Sequence, residues 1–175
     1  MIQLRCTEKA RKLLGVQGSG LTEPVRVAHP LGAWYVNVFL AERRKFLVCM
    51  SEPSYLSFVI PRFTKTEAKN LPELFRSGLD YTLSLLGAPI VHRERAKLGL
   101  ERLEFTKTAN RKALGNLKEL VELYEHSIWY GGGLKYWDQD DATFRLNSMP
   151  QRNLGWAYSR NIAQELLQHG AAAWQ

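Results

Sequence analysis

Apolar and polar residues follow helical spacing in the longest patterned stretch of the chain, residues 106–130. Its apolar side chains recur every three or four residues, at Leu114, Leu117, Val121, Tyr124 and Ile128. Because an α-helix completes a turn every 3.6 residues, this spacing places them on one face of a helix. Asn110 precedes the pattern, and its side chain can accept an N–H of the first helical turn. We therefore predict an amphipathic helix that begins just after Asn110.

Strand patterns dominate the first third of the chain. Residues 2–6 alternate apolar and polar side chains, as a half-buried strand does. Thr7 then fits the N-cap of a short helix that ends at Gly15. Between Val25 and Ile60, runs rich in aromatic and β-branched residues are joined by short links, which favours antiparallel pairing. The predicted strands cover residues 31–40, 45–50 and 55–60, with a charged turn at 42–44.

The remaining residues add helices and one more strand to this pattern. Helical spacing recurs at 65–86 and 158–168, alternation at 100–106, and a basic connector or short helix at 90–99. Together these elements predict an α+β fold, in which an antiparallel β-meander packs against several α-helices in a single domain, residues 1–175. Three glycines at 131–133 interrupt helical order, so residues 131–175 are open to a second interpretation as a C-terminal appendage. The final GAAAWQ is predicted to fray.

The charge is positive and unevenly distributed along the chain. The formal net charge is +7, of which residues 1–70 carry +6, from 11 Lys and Arg against 5 Asp and Glu. A basic face attracts nucleic acid or an acidic protein, although a merely soluble basic surface has the same composition. No apolar run reaches the ~20 residues that span a bilayer, and MIQLRCTEK has no hydrophobic signal region. We expect a cytoplasmic protein with no membrane partner and with buried, free thiols at Cys6 and Cys49.

Basic and aromatic residues of the first part of the chain form one candidate binding surface. It comprises a cluster on the first helix and a cluster in the 42–45 turn region, namely Lys9, Arg11, Lys12, Arg43, Arg44 and Lys45. Trp34 or Tyr35, in the neighbouring strand, could stack on a nucleic-acid base above this basic rim. The alternative is that both rings pack in the core, one on each side of the sheet.

A second candidate lies at the start of the predicted 111–130 helix. Lys107, Asn110 and Arg111 cluster there with Thr108 and Lys112. A helix N-terminus carries free N–H groups and a partial positive charge, so it suits a phosphate or a carboxylate. The alternative is an ordinary N-cap with solvated basic neighbours.

Three carboxylates form a third candidate, at Asp138, Asp140 and Asp141. Clustered carboxylates can hold Mg²⁺ for phosphoryl chemistry, but a solvated acidic loop is the more ordinary interpretation and no partner acid is evident. The four histidines have no metal-ligand spacing, and the chain lacks a phosphate-binding loop and a nucleophile-elbow motif. We therefore predict neither a metal site nor a cofactor.

Two motifs give the chain a family resemblance. Leu31-Gly-Ala-Trp34-Tyr-Val-Asn37 and Thr106-Lys-Thr108-Ala-Asn110-Arg111-Lys-Ala-Leu114-Gly115 resemble L-G-x-W-Y-x-N and T-x-N-R-x-x-L-G patterns of a small family of uncharacterised bacterial proteins. That family has no established activity, so the resemblance implies a fold and no mechanism. It directs attention to four positions for testing, Trp34, Asn37, Asn110 and Arg111.

These observations favour a non-catalytic binding module that engages nucleic acid or a nucleic-acid-loaded protein complex. Small, motif-poor bacterial or phage proteins of this kind often act in genetic conflict, as toxin–antitoxin components or inhibitors of host defence, and by this association we expect such a role. The alternative is a phosphate-directed enzyme, such as a metal-dependent nuclease or phosphohydrolase. It would hold phosphate with Lys107, Asn110 and Arg111, and metal with Asp138 or Asp140. Exposed aromatic residues leave a homo-oligomer open as a third possibility.

Overall fold

A five-stranded sheet lies between two layers of helices in a computed structural model of the protein, which describes residues 1–170. The predicted fraying of the tail therefore falls, apart from Gly170, outside the described residues. The strands of this sheet are β1 (Ile2–Cys6), β2 (Trp34–Ala41), β3 (Arg44–Ser51), β4 (Ser57–Ile60) and β5 (Leu103–Thr106). The helices are α1 (Glu8–Leu14), α2 (Leu71–Leu85), α3 (Ile90–Lys97), α4 (Arg111–Tyr130), α5 (Gln139–Leu146) and α6 (Ser159–His169).

The strand order in the sheet is β4-β3-β2-β1-β5. The predicted meander is present, because β2 pairs antiparallel with β3 and β3 with β4. The α+β fold class is therefore confirmed. β1 adds a feature that the meander did not include, since it pairs parallel with both β2 and β5.

Side chains alternate between the two faces of the sheet and build a core on each side. Trp34, on one face, joins the core formed with α1, α2, α3 and α6. Tyr35, on the other face, joins the core formed with α4 and α5. Both rings have no exposed surface, so the core-packing alternative describes both of them. Strands covered by helices on both faces carry apolar residues on both faces, which explains the nearly continuous apolar run of β3.

Local signals set the ends of several elements. The Thr7 hydroxyl accepts the Ala10 N–H at the start of α1, and Gly15 closes this helix in the left-handed region at φ 71°. The β2–β3 turn is tight, with Glu42 and Arg43 at φ 46° and 66°. Such a turn matches the twist of the two strands that it joins. Glu42 also accepts the Leu134 N–H, which anchors the turn to the segment after α4.

The segment after α4 packs into the body of the fold and does not form a separate appendage over the described residues. Helix α6 contributes Ile162, Leu166 and Leu167 to the first core, and α5 contributes Leu146 to the second. The prediction of a solvated acidic loop at Asp138, Asp140 and Asp141 is wrong, because residues 139–146 form α5 and Asp138 is its N-cap. The short strands β6 (Pro150–Gln151) and β7 (Ala157–Tyr158) form a separate hairpin. Among residues 1–170, no helix is long and apolar enough to cross a membrane.

Candidate functional site

A groove opens where β1 ends and its neighbour β2 continues. The parallel pairing stops at Cys6, opposite Val36, whereas β2 runs on to Ala41. Helix α1 leaves from the end of β1 on one face of the sheet, and α4 crosses the other face. The space between them has a volume of about 930 Å³. The groove therefore lies at the carboxyl end of β1, between helices on the two faces of the sheet.

The floor of the groove is the uncovered part of β2. Asn37, Val38, Phe39 and Leu40 line it. Leu40 is 60% exposed, although it lies inside a strand of a five-stranded sheet. An uncovered, partly apolar strand edge is a surface that proteins normally protect. Its exposure here makes the groove a candidate interaction site.

Lysines surround this floor. The charged residues that line the groove are Lys9, Lys12, Lys45, Lys65 and Lys118 together with Glu8, Glu122 and Glu125. The five ammonium groups exceed the three carboxylates by two charges. Glu8 is also paired with Lys12 at 3.0 Å, and that hydrogen bond holds the pKa of Glu8 below its ordinary value. We call this feature the lysine groove.

Asn37 and Thr7 close the inner end of the groove. The Thr7 hydroxyl donates to Asn37 Oδ1 at 2.8 Å, and the Val38 N–H donates to the same oxygen at 2.8 Å. The Asn37 side chain thus takes the backbone hydrogen bond that the next residue of β1 would have made. This contact gives Asn37 of the first motif a structural role, because it ends the pairing of β1 with β2.

The structure brings together four of the eleven predicted binding residues in the lysine groove, namely Lys9, Lys12, Asn37 and Lys45. Arg43 and Arg44 are exposed on the adjoining β2–β3 turn, outside the lining of the groove. Arg11 points elsewhere, since its guanidinium group lies near Gly18. Lys9 and Lys12 of α1 thus line the same groove as Lys45 of β3, whereas the three arginines of the two basic clusters do not line it.

Trp34 requires a correction, because the structure gives it no access to a base. Its ring packs edge-on against Phe58 and Phe75, with centroids 5.5 and 5.1 Å away. Tyr35 is equally buried, and its hydroxyl accepts the N–H groups of Ala109 and Asn110. The predicted stacking platform is therefore absent from this strand.

The residues at the start of α4 are occupied by structural contacts. Asn110 Oδ1 accepts the N–H groups of Lys112 and Ala113, and Asn110 Nδ2 donates to Glu52 at 3.3 Å. Lys107 pairs with Glu23 at 2.5 Å. The first-turn N–H groups that a phosphate would need are thus largely used, which favours the N-cap interpretation.

A buried ion pair lies directly beneath this helix start. Arg5 on β1 donates to both carboxylate oxygens of Glu52, at 3.0 and 2.9 Å, and the Arg5 side chain is only 8% exposed. Because Glu52 also accepts from Asn110, the pair joins β1, the end of β3 and the N-terminus of α4. Its role is to hold α4 in place, and nothing in the sequence pattern indicated it.

The two halves of the alternative phosphate-directed enzyme lie at opposite ends of α4. The helix has 20 residues, a length of about 30 Å; Asn110 and Arg111 lie at its start, and the three aspartates follow its end. Each aspartate has a structural partner: Asp138 caps α5, Asp140 accepts from Tyr81, and Asp141 pairs with Arg145. Among residues 1–170, no group of three or more His, Cys, Asp or Glu side chains is placed to hold a metal ion.

The residues of the lysine groove that sequence reasoning missed include Thr7, which closes its inner end, and two of its five lysines, Lys65 and Lys118. Thr7 was identified only as a helix cap. The helical pattern shows that Lys118 faces away from the apolar stripe, but it does not show which part of the fold lies beside it. Lys65 is far from Lys118 in sequence, so only the tertiary structure brings them together.

Comparison with known proteins supports the family resemblance. No curated protein sequence and no solved structure shows significant similarity to the chain. Residues 3–162, which include both motifs, match the family described as a domain of unknown function, DUF6933. The match covers most of the chain and every strand of the main sheet. The protein is therefore a member of the DUF6933 family.

Proposed function

We propose that the protein is a non-catalytic binding module that holds a polyanionic partner in the lysine groove. The observation that carries this proposal is the convergence of five lysines from α1, β3, α4 and the segment before α2 around one groove. Their positions in the sequence span residues 9–118, so local sequence does not explain the cluster. A cleft with an excess of positive charge attracts negatively charged partners and accelerates their association.

The size and exposure of the site suit a macromolecule. The groove is open along α1 and α4, and Arg43 and Arg44 extend its positive charge onto the neighbouring turn. Nucleic acid and the acidic surface of a protein complex, the two partners expected from the sequence, share the chemistry that lysines recognise. The proposal includes a cytoplasmic location and a role in genetic conflict, as a toxin–antitoxin component or an inhibitor of host defence.

Binding to defined polyanions at several salt concentrations tests the proposal. The probes are a single-stranded oligonucleotide and a glutamate-rich peptide, each labelled and titrated with the full chain. We expect an affinity that falls steeply with salt, because the contacts are ionic. The variant K9E/K65E reverses two charges of the groove and should weaken binding about tenfold or more, the equivalent of ~1.4 kcal/mol.

The matched control is R111E/K112E, which reverses two exposed basic residues at the start of α4, outside the groove. It makes the same change in net charge, so it should leave a groove-specific affinity nearly unchanged. Equal losses of affinity in both variants would show that the effect depends on overall charge and not on the groove. No binding of either probe to the unmodified protein at low salt would refute the proposal.

A further inference from the structure

The floor of the lysine groove is a strand edge, and this feature specifies the partner more closely. We propose that an extended polypeptide segment with acidic side chains at every second position pairs with β2 as an additional strand. This inference rests on the proposed function, since it places the partner in the same groove. Strand addition of this kind obtains affinity from backbone hydrogen bonds and specificity from alternate side chains.

The neighbours of β2 show to which side the backbone N–H and C=O groups of each of its residues are directed. The Thr7 N–H donates to the Val36 carbonyl, so the backbone groups of Val36 face β1. Successive residues of a strand direct their backbone groups to opposite sides, so Val38 and Leu40 face the same way as Val36. Lys45, which lies opposite Leu40 in the register, supports this assignment, because its carbonyl accepts from Phe63 on the far side of β3.

Beyond Val36, this edge has no strand beside it. The Val38 N–H is taken by Asn37 Oδ1. For the Val38 carbonyl and the Leu40 N–H, no hydrogen-bond partner occurs among residues 1–170. Residues 37–41 extend over about 16 Å, at about 3.3 Å per residue. The edge therefore accommodates a segment of four or five residues, with two backbone groups ready to pair.

Charge is distributed unequally between the two sides of this edge. On the side of α1, the lining residues are Lys9, Lys12, Lys45 and Lys65 with the single carboxylate of Glu8, which is already paired with Lys12. On the side of α4, they are Lys118, Glu122 and Glu125. Because side chains of an added strand alternate between the two sides, acidic residues at alternate positions would all meet the lysines of the α1 side. The intervening residues would be uncharged or basic.

The lining of the groove favours polypeptide over nucleic acid. Base stacking requires an accessible aromatic ring. Phe39 is the aromatic residue that lines the groove, and it is 4% exposed because its ring stacks on Phe46 in the core. The backbone groups of a strand edge, in contrast, are complementary to those of another polypeptide.

Substitution of Leu40 separates strand pairing from charge attraction. L40P removes the N–H that faces the groove and leaves the hydrogen bonds between β2 and β3 in place, because Leu40 does not direct its backbone toward β3. L40A is the matched control, since it shortens the side chain and retains the N–H. The ligand is a peptide of about eight residues that alternates threonine and glutamate; its control carries an N-methyl group on every second backbone nitrogen.

We expect L40P to bind this peptide about tenfold or more weakly than L40A, a difference of ~1.4 kcal/mol. Hydrogen exchange of the Leu40 amide should slow on peptide binding, and the methylated peptide should bind weakly to the unmodified protein. The last two measurements need no variant, so they decide the question even if L40P fails to fold.

The results also separate this inference from the proposed function. If the alternating and methylated peptides bind equally and the Leu40 amide stays unprotected, strand addition is refuted while polyanion binding in the groove stands. If the oligonucleotide binds and the peptide does not, the partner is nucleic acid and the inference is wrong. If neither binds to the unmodified protein at low salt, both proposals fail.

Discussion

Two glycines in the middle of helices provide a direct test of how tightly the first core is packed. Gly78 lies in α2 and Gly115 in α4. Replacing glycine by alanine inside a helix ordinarily stabilises a protein by about 0.8–1 kcal/mol, because alanine has less conformational freedom in the unfolded chain. The two sites should respond in opposite directions, since their surroundings differ.

At Gly78 an added Cβ would lie 2.7 and 2.9 Å from two ring atoms of Phe58. That ring cannot move aside freely, because Trp34 and Phe75 pack against it at 5.5 and 5.3 Å. Overpacking of this kind costs about 1–3 kcal/mol. After subtraction of the helix gain, we expect G78A to lower the free energy of unfolding by about 1 kcal/mol.

At Gly115 an added Cβ would meet no atom within 4 Å. G115A should therefore raise the free energy of unfolding by about 0.8 kcal/mol, the helix gain alone. The difference between the two variants isolates the steric term, because the helix gain cancels. Urea unfolding, followed by circular dichroism, measures both values, and thermal unfolding should separate the variants by roughly 4–8 °C. A G78A protein as stable as G115A would show that α2 does not contact Phe58 closely, and would refute this reasoning.

Two further predictions concern buried polar groups. E52A should lower the free energy of unfolding, measured in urea, by about 3 kcal/mol, which is near the lower end for a broken buried ion pair because the Glu52 side chain is 24% exposed. E52Q retains the shape of the side chain and should lose less stability. An E52A protein as stable as the unmodified one would contradict a role for the Arg5–Glu52 pair in holding α4. Burial disfavours the charged ring and so lowers the pKa of His29 below its ordinary 6.5, against the opposing effect of its hydrogen bond to the Ala96 carbonyl. In the neutral ring, Nδ1 accepts the Leu31 N–H while Nε2 donates to that carbonyl. The neutral His29 ring should contribute fully to stability above pH 6.5, and this contribution should decrease as the pH falls below that value. H29Q should therefore reduce the pH dependence of the free energy of unfolding. An equal pH dependence in both proteins would refute the lowered pKa of His29.

The candidate site was only partly visible in the sequence. Lys9, Lys12 and Lys45 are recognisable as exposed basic residues from local pattern, because α1 and the β2–β3 turn have clear signals at their ends. Their convergence with Lys65 and Lys118 depends on how far β1 covers β2, which is a property of pairing between distant segments. The prediction that Trp34 could stack on a base was wrong, because an aromatic residue in a basic region has the same sequence pattern whether it stacks on a ligand or fills the core.

Local chemistry by itself determined the elements whose signals lie within a few residues. The caps at Thr7 and Asn110, the amphipathic stripe of α4 and the antiparallel links of β2 to β4 all follow from short-range hydrogen bonding and spacing. Helix α5 was missed although Asp138 caps it, because its apolar face is short and surrounded by charged residues.

Only the tertiary structure decided where these elements meet. The parallel pairing of β1 with β2 and β5 joins residues about 30 and 100 positions apart, and no local pattern specifies it. That pairing buries Trp34, places Arg5 beneath α4 and ends at Cys6, which leaves the edge of β2 uncovered. The lysine groove exists because β1 is shorter than β2, and strand length relative to a neighbour has meaning only after the two strands have paired.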